Sequence, residues 1–308
     1  MTRILAVDGG QSTTRLQHSE VEQTIEVEGV GRLEGDLVTI TASAIIDGWR
    51  LAGHPETDRV MLGLTTAPPD RERAEAICTL IGQATGAQDV WLADDSVTAH
   101  YGALSGSAGV ALVPGTGVAC LALPHSGEPR LFDGNGYLLG CLGSAFWIGQ
   151  TAVATVLRRK DGIGPATDLE LAAERRFGPI SELRENILAE ARPVNAVAQF
   201  TRDVLAVAVE GDFVAQRILR AAAVELAATA EAAVSWIGDD TVHVAVGGNL
   251  LAPGTVLRGF FDEIFQQTSP RAVLRTADAS GLTGALALGH DDVADRYGSL
   301  VHYWRSPR

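Results

Sequence analysis

The stretch Ile4-Leu5-Ala6-Val7-Asp8-Gly9-Gly10-Gln11-Ser12-Thr13-Thr14-Arg15 decides the fold. An apolar strand runs into an acidic residue and two glycines, and a second extended stretch, Thr13 to Gln17, leaves the turn. Asp-Gly and Gly-Gly favour hairpin turns, so the spacing predicts a β-hairpin. Gly9 and Gly10 let backbone approach a ligand closely and aim N–H groups outward. Ser12, Thr13 and Thr14 add hydroxyl donors, and Asp8 adds a carboxylate able to hold a hydrated Mg2+.

The plan recurs. Val110-Ala111-Leu112-Val113-Pro114-Gly115-Thr116-Gly117-Val118-Ala119-Cys120-Leu121-Ala122-Leu123 is again strand, glycine turn, strand. A third apolar run, Val242 to Val246, ends in Gly247-Gly248 and leads into an expected helix from Asn249. Two hairpins of one type in separate halves predict a duplicated architecture, each half offering backbone amides to one nucleotide lying between them.

In these motifs the chain resembles the actin-like ATPase superfamily, and within it the N-acetylglucosamine kinase and BadF/BadG-type ATPase family. The Asp8-to-Arg15 hairpin resembles the first phosphate motif, with Ser12 in place of its first threonine, Gly115-Thr116-Gly117 resembles the second, and Val246-Gly247-Gly248 the adenosine motif. Leu92-Ala93-Asp94-Asp95-Ser96-Val97-Thr98-Ala99-His100-Tyr101-Gly102-Ala103-Leu104 resembles the segment that holds the family's catalytic aspartate. Gly136 to Gly149 resembles its Gly-Asp-Glu-Gly-Ser-x-x-Trp-Ile-Gly run. The resemblance implies two actin-like (ribonuclease H-like) α/β lobes, each a mixed sheet with flanking helices, around a nucleotide cleft. It also implies ATP and Mg2+ as cofactors, a small-molecule sugar as substrate, and a homodimer.

Composition bounds these expectations. At 308 residues the chain suits two lobes. Hydrophobic content of 46% and charge of 20% fit a globular protein. No apolar run reaches the roughly 18 residues of a membrane span. Met1-Thr2-Arg3 enters a strand after one basic residue, unlike a signal peptide, so a cytoplasmic location is expected. A net charge of −14 argues against a nucleic-acid partner, which needs basic surface. Lys160 is the only lysine, and no Gly-Lys-Ser/Thr triplet exists, which excludes a Walker-type phosphate loop. Cys78, Cys120 and Cys141 lack metal or redox spacing and read as buried thiols.

Along the chain, two or three short strands up to about Val27 precede a helix over Thr39–Gly53, a strand over Arg59–Thr65 and a helix over Asp70–Gly86. A strand then ends at Asp94-Asp95, and a helix follows whose N-cap is Asp95 or Ser96. Ser105 to Gly109 is the candidate hinge. The expected lobes are residues 1–105, joined by a tail over about 290–308, and residues 106–289 with a helical insertion. Val293 to Arg308 reads as a polar-aromatic tail.

Phosphoryl transfer asks for a phosphate cradle, a metal, and a base facing the acceptor hydroxyl. The cradle candidates are Gly9, Gly10, Ser12, Thr13, Thr14, Gly115, Thr116 and Gly117, with Gly247 and Gly248 toward the adenosine. Asp8 is the metal candidate. By resemblance Asp95 is the catalytic base, because Ala99, Gly102 and Ala103 follow it at the family's spacing; alternatively Asp95 only caps the helix. Two departures bear on the acceptor. Cys141-Leu142 stands in place of the Asp-Glu pair, and Arg32 or Leu33 in place of an asparagine that holds sugar hydroxyls. Arg32 suits an acidic acceptor or is a surface arginine. Arg32, Leu33, Asp95 and Thr116 are thus the substrate candidates. The expected activity is an ATP-dependent kinase for an amino sugar such as N-acetylglucosamine or glucosamine. Two alternatives stay open: a BadF-type ATPase that activates another enzyme through a bridging iron–sulfur cluster, and a degenerate nucleotide-binding protein with a lost acceptor site.

Overall fold

The computed structural model describes residues 2–29, 36–65, 67–68, 70–290 and 294–306. The chain forms two compact units. The first comprises Met1–Ala111, Leu121–Leu131 and Ala277–Arg308; the second comprises Leu112–Cys120 and Phe132–Thr276.

The first unit is built on β1 (Ile4–Gly9), β2 (Thr13–His18), β3 (Ile25–Glu28), β4 (Arg59–Leu64), β5 (Asp89–Asp94) and β11 (Val301–Arg305), in the sheet order β11-β5-β4-β1-β2-β3. Strands β1, β4 and β5 run parallel, whereas β2 and β11 are antiparallel to their neighbours β1 and β5. Side chains on β1 alternate between two cores. Leu5 and Val7 join Leu16, Leu62, Ile45 of α1 (Leu37–Leu51) and Ile77 of α2 (Arg71–Thr85). Ile4 and Ala6 join Met61, Val97 of α3 (Asp95–Leu104) and Leu282 of α10 (Gly281–His290). Covering both faces explains why β1 and β4 are almost continuously apolar.

Helices α3 and α10 cross backbone to backbone. A Cβ at Gly284 would lie 2.0 Å from the Thr98 carbonyl oxygen, and one at Gly102 would lie 2.3 Å from that of Ser280. The N-cap of α3 is Asp94, not Asp95 or Ser96: its backbone is extended and its carboxylate accepts from the Ser96 N–H. Asp95 is therefore already inside the first helical turn. The polar-aromatic tail is structured. A 3-10 segment, Ala294–Leu300, buries Tyr297 completely, and β11 then closes the sheet edge beside β5. Trp304 packs so closely on α2 that a Cβ at Gly82 would meet its ring at 2.3 Å.

A second sheet has the order β10-β9-β6-β7-β8, from β6 (Gly109–Pro114), β7 (Val118–Leu123), β8 (Arg130–Leu131), β9 (Val242–Val246) and β10 (Ala272–Thr276). The helices of the second unit are α4 (Ala145–Lys160), α5 (Leu169–Phe177), α6 (Leu183–Ala189), α7 (Pro193–Val209), α8 (Phe213–Ile237) and α9 (Val256–Thr268). Alanines of α8 at 222, 223, 227, 230 and 233 are buried, and their small side chains let neighbouring helices approach. The helix expected from Asn249 begins instead at Val256, capped by Thr255. Gly248 and Gly254 both hold left-handed φ angles, of 78° and 85°, which interrupt any earlier helix.

Candidate active site

In the first unit the parallel register lines up three strand ends. Gly9 pairs with Leu64, and Leu64 pairs with Asp94. The Asp8-Gly9 turn, Thr65 and the Asp94-Asp95 pair therefore share one edge of the sheet. The Thr65 N–H donates to the Gly9 carbonyl at 3.0 Å, and its hydroxyl donates to Asp95 Oδ2 at 2.5 Å. Sequence reading missed Thr65. The signal was there: the apolar run Val60 to Leu64 leads directly into a pair of hydroxyl residues, Thr65-Thr66, as the run Ile4 to Val7 leads toward Ser12-Thr13-Thr14.

The β1–β2 hairpin forms as the sequence predicts, with Gly10 N–H closing on the Thr13 carbonyl at 3.1 Å. Its hydroxyls divide between the faces of the sheet. Arg15 lies opposite Asp8, with its guanidinium 3.9 Å from Oδ2. Thr14 turns with Leu16 toward α1 and α2, and its fully buried Oγ1 has no hydrogen-bond partner. Thr13, next along the strand, turns to the side that Asp8 occupies. Gly29 lies against the hairpin tip, where a Cβ would come 2.5 Å from the Gln11 carbonyl oxygen. Arg32 and Leu33 lie outside the described residues.

Burial, the neighbouring Asp94 and the charge of Asp8 push the carboxyl of Asp95 up to about 7, with the Thr65 bond pulling the other way. Burial also raises Asp94, against two bonds from Ser96. Asp8 is raised by burial and lowered by Arg15. The Oδ1 of Asp8 faces the start of α10, 3.4 Å from where a Cβ on Gly281 would stand.

No three His, Cys, Asp or Glu side chains converge on a metal position among the described residues. That donor set does not fit an all-protein metal cage. It fits Mg2+, which keeps several waters and is held through one or two carboxylates plus substrate phosphates. Asp8, with its side chain 25% exposed and Arg15 only at the long distance of 3.9 Å, is the residue suited to that role.

The second unit brings its two glycine turns together. Gly247 N–H donates to the Leu112 carbonyl, and a Cβ on Gly248 would stand 2.8 Å from the Pro114 carbonyl oxygen. The Gly115-Thr116-Gly117 turn closes on itself through Gly115 N–H to the Gly117 carbonyl at 2.8 Å. It is also tied to α4, because the Gly115 carbonyl accepts from Ala145 N–H. The amides of Gly115 and Gly247 are thus engaged within the protein.

The loop over residues 132–143 carries the departure noted in the sequence. Cys141 is buried with a left-handed φ of 57°, and its N–H donates to Asp133 Oδ1 at 2.8 Å. Leu142 is half-exposed, and Leu138 and Leu139 stand in solvent. Burial pushes the Cys120 thiol up to about 12. Cys120 and Cys141 are buried free thiols, and no group of three metal-ligating side chains forms around them among the described residues.

A family model for BadF/BadG/BcrA/BcrD ATPases matches residues 69–289. An N-acetylmuramic acid/N-acetylglucosamine kinase of Clostridium acetobutylicum is 24% identical over 304 residues, covering 95% of this chain and 99% of that one. A Chromobacterium violaceum protein whose crystal structure is assigned as an N-acetylglucosamine kinase superposes with a TM-score of 0.72 at 26% identity, over 94% of this chain and 99% of that one. A ROK family glucokinase from Streptomyces griseus, solved with glucose and AMPPNP, shares the fold with a TM-score of 0.66 at 17% identity, over 94% and 99%. The mixed α/β sheets with flanking helices are those of the actin-like sugar kinases, as the hairpins predicted. With the match spanning α2 through α10, the chain belongs to the BadF/BadG/BcrA/BcrD ATPase family.

Proposed function

We propose that the chain is an ATP-dependent sugar kinase that transfers the γ-phosphoryl group to a hydroxyl of an amino sugar of the N-acetylglucosamine class. The observation that carries this reading is Asp95: a half-buried carboxylate at a parallel strand end, beside the glycine hairpin, whose ionisation is tuned toward neutrality. A general base works best when its pKa lies near the operating pH. The relatives named for kinase activity on N-acetylglucosamine support the substrate class.

In this reading Asp95 accepts the proton of the acceptor hydroxyl, and Thr65 fixes the carboxylate through Oδ2. The Gly9-Gly10 backbone and Thr13 receive phosphate oxygens. Asp8 holds Mg2+ through its waters, and the ion, when bound, neutralises charge on the phosphates. The glycine turns at Gly115–Gly117 and Gly247–Gly248 serve the nucleotide from the second unit. Three free, buried cysteines suit a reducing cytoplasm, and a homodimer is part of the same reading.

A second reading, a nucleotide-binding protein that has lost its acceptor site, draws on Cys141 and Leu142. Neither presents a carboxylate, and buried polar partners are how such sites read hydroxyls. An ATP-consumption screen against N-acetylglucosamine, glucosamine, muramic-acid-type sugars and simple hexoses separates the two. Turnover with an amino sugar is expected. Nucleotide binding without turnover on any of them contradicts the kinase reading.

A further inference from the structure

Two carboxyl groups stand side by side where β5 runs into α3. Asp94 ends the strand and caps the helix; Asp95 opens the helix. Asp94 Oδ1 accepts from both the Ser96 N–H, at 3.0 Å, and the Ser96 hydroxyl, at 2.5 Å. Asp95 Oδ2 accepts from the Thr65 hydroxyl. The two carboxyls lie within hydrogen-bonding reach of each other.

The surrounding elements supply no compensating charge among the described residues. From β1 comes Asp8, a further negative group, and Arg15 of β2 is directed at Asp8. From β4 comes the neutral Thr65, and the first turn of α10, Gly281-Leu282-Thr283-Gly284, has no titratable side chain. His100, further along α3, is bonded to the Tyr297 hydroxyl and the Gly109 carbonyl. Two half-buried carboxyls in contact, with only hydroxyl and amide donors, do not readily both ionise. Asp94 accepts both Ser96 donors, and the bond from the Asp95 carboxyl further favours its charged form, so the retained proton falls on Asp95. An asparagine at 94 would cap the helix equally well without a charge, so capping alone does not call for the second carboxyl.

We propose that Asp94 is a positioning residue for phosphoryl transfer: it and Asp95 hold one proton between them, and the pair sets the pH at which a base faces the acceptor hydroxyl. The effect on turnover rests on the kinase reading above, whereas the sharing of the proton does not. At low pH Asp95 carries the proton and accepts no other. At higher pH that proton passes to solvent. Asp95 then takes the acceptor's proton as the acceptor oxygen bonds to the γ-phosphorus. The bond from that phosphorus to the bridging oxygen breaks, ADP leaves with the electron pair, and Asp95 returns its proton to solvent.

The test is Asp94→Asn, which keeps the cap and removes the charge. Two measurements are made: aspartate carboxyl titration by 13C NMR without nucleotide or sugar, and the pH dependence of kcat/KM with Mg-ATP and an amino sugar. In the wild type an aspartate should titrate near neutrality. In the variant its midpoint should fall by at least about one unit, and the rate at pH 6, relative to the plateau, should rise about fivefold or more. Asp95→Asn is the reciprocal variant, in which the Asp94 midpoint should fall. Unmoved NMR midpoints in either folded variant overturn the proposal. If the NMR midpoints move but no sugar is turned over, the pair stands and the kinase reading fails. If the wild type turns over sugar and neither readout moves, the kinase reading stands and the pair fails.

Discussion

The Thr65 hydroxyl donates to Asp95 Oδ2 at 2.5 Å, and the backbone N–H of the same threonine donates to the Gly9 carbonyl at 3.0 Å. One residue thus ties the proposed base to the phosphate hairpin. The tie follows from parallel register, since β4 ends level with both β1 and β5. A hydrogen bond to a charged group contributes about 1.5–3 kcal/mol.

Thr65→Val keeps the β-branched shape and deletes the donor. The bond favours the ionised carboxylate, so its loss should move the acid limb of kcat/KM to higher pH. At 1.36 kcal/mol per unit, the shift should be about one to two units. A pH–rate profile of the variant checks this, and an unmoved limb would show that the bond does not reach the base.

The same burial that tunes Asp95 destabilises the fold at high pH. Burial and the neighbouring Asp94 push its carboxyl up to about 7 in the folded chain, against an ordinary value of 3.8. Between those values the folded chain holds a proton that the unfolded chain has released, so stability falls as pH rises through that window. His100 acts in the opposite sense: burial lowers it from 6.5 to about 4, so its contribution is lost as pH falls from 6.5 toward 4. Asp95→Asn should therefore melt at a higher temperature than the wild type at pH 8, and near the wild-type temperature at pH 4. Thermal melts across that range check the sign, and a variant less stable at pH 8 would contradict it.

Gly284 and Gly102 let α3 and α10 touch, and α3 carries Asp95 at its first residue. At Gly284 an added Cβ would meet backbone atoms, the Thr98 carbonyl oxygen at 2.0 Å and the Gly102 nitrogen at 2.5 Å, which have nowhere to rotate. Gly284→Ala should cost about 1–3 kcal/mol or more by overpacking, despite alanine's better helix propensity. Chemical denaturation measures it. A stabilised variant would show that the crossing is looser than described.

Much of this was legible in the sequence because the decisive signals were local. The hairpin at Asp8-Gly9-Gly10 and the strand into Asp94-Asp95 are set by alternation and turn chemistry within a few residues. What escaped depends on distant partners. Strand β11 is a five-residue run, Val-His-Tyr-Trp-Arg, and becomes a strand because β5, about two hundred residues earlier, offers an open edge. Thr65 is an ordinary threonine until the register of three strands places it under Asp95. The cap of α3 was misplaced by one residue because adjacent aspartates and a serine are equally good caps on paper, and only the backbone angles at Asp94 choose between them. The helix expected at Asn249 starts instead at Val256, past the left-handed glycines at 248 and 254 that flank Asn249.

The central claim is that Asp95 is the base of a phosphoryl transfer to an amino-sugar hydroxyl. The most direct measurement compares wild type and Asp95→Asn in steady-state ATP consumption with N-acetylglucosamine, alongside Mg-ATP binding by calorimetry. A general base contributes about 10²–10⁴-fold, so kcat should fall by that factor while Mg-ATP affinity stays near the wild-type value. Near-normal kcat in the variant would contradict the claim.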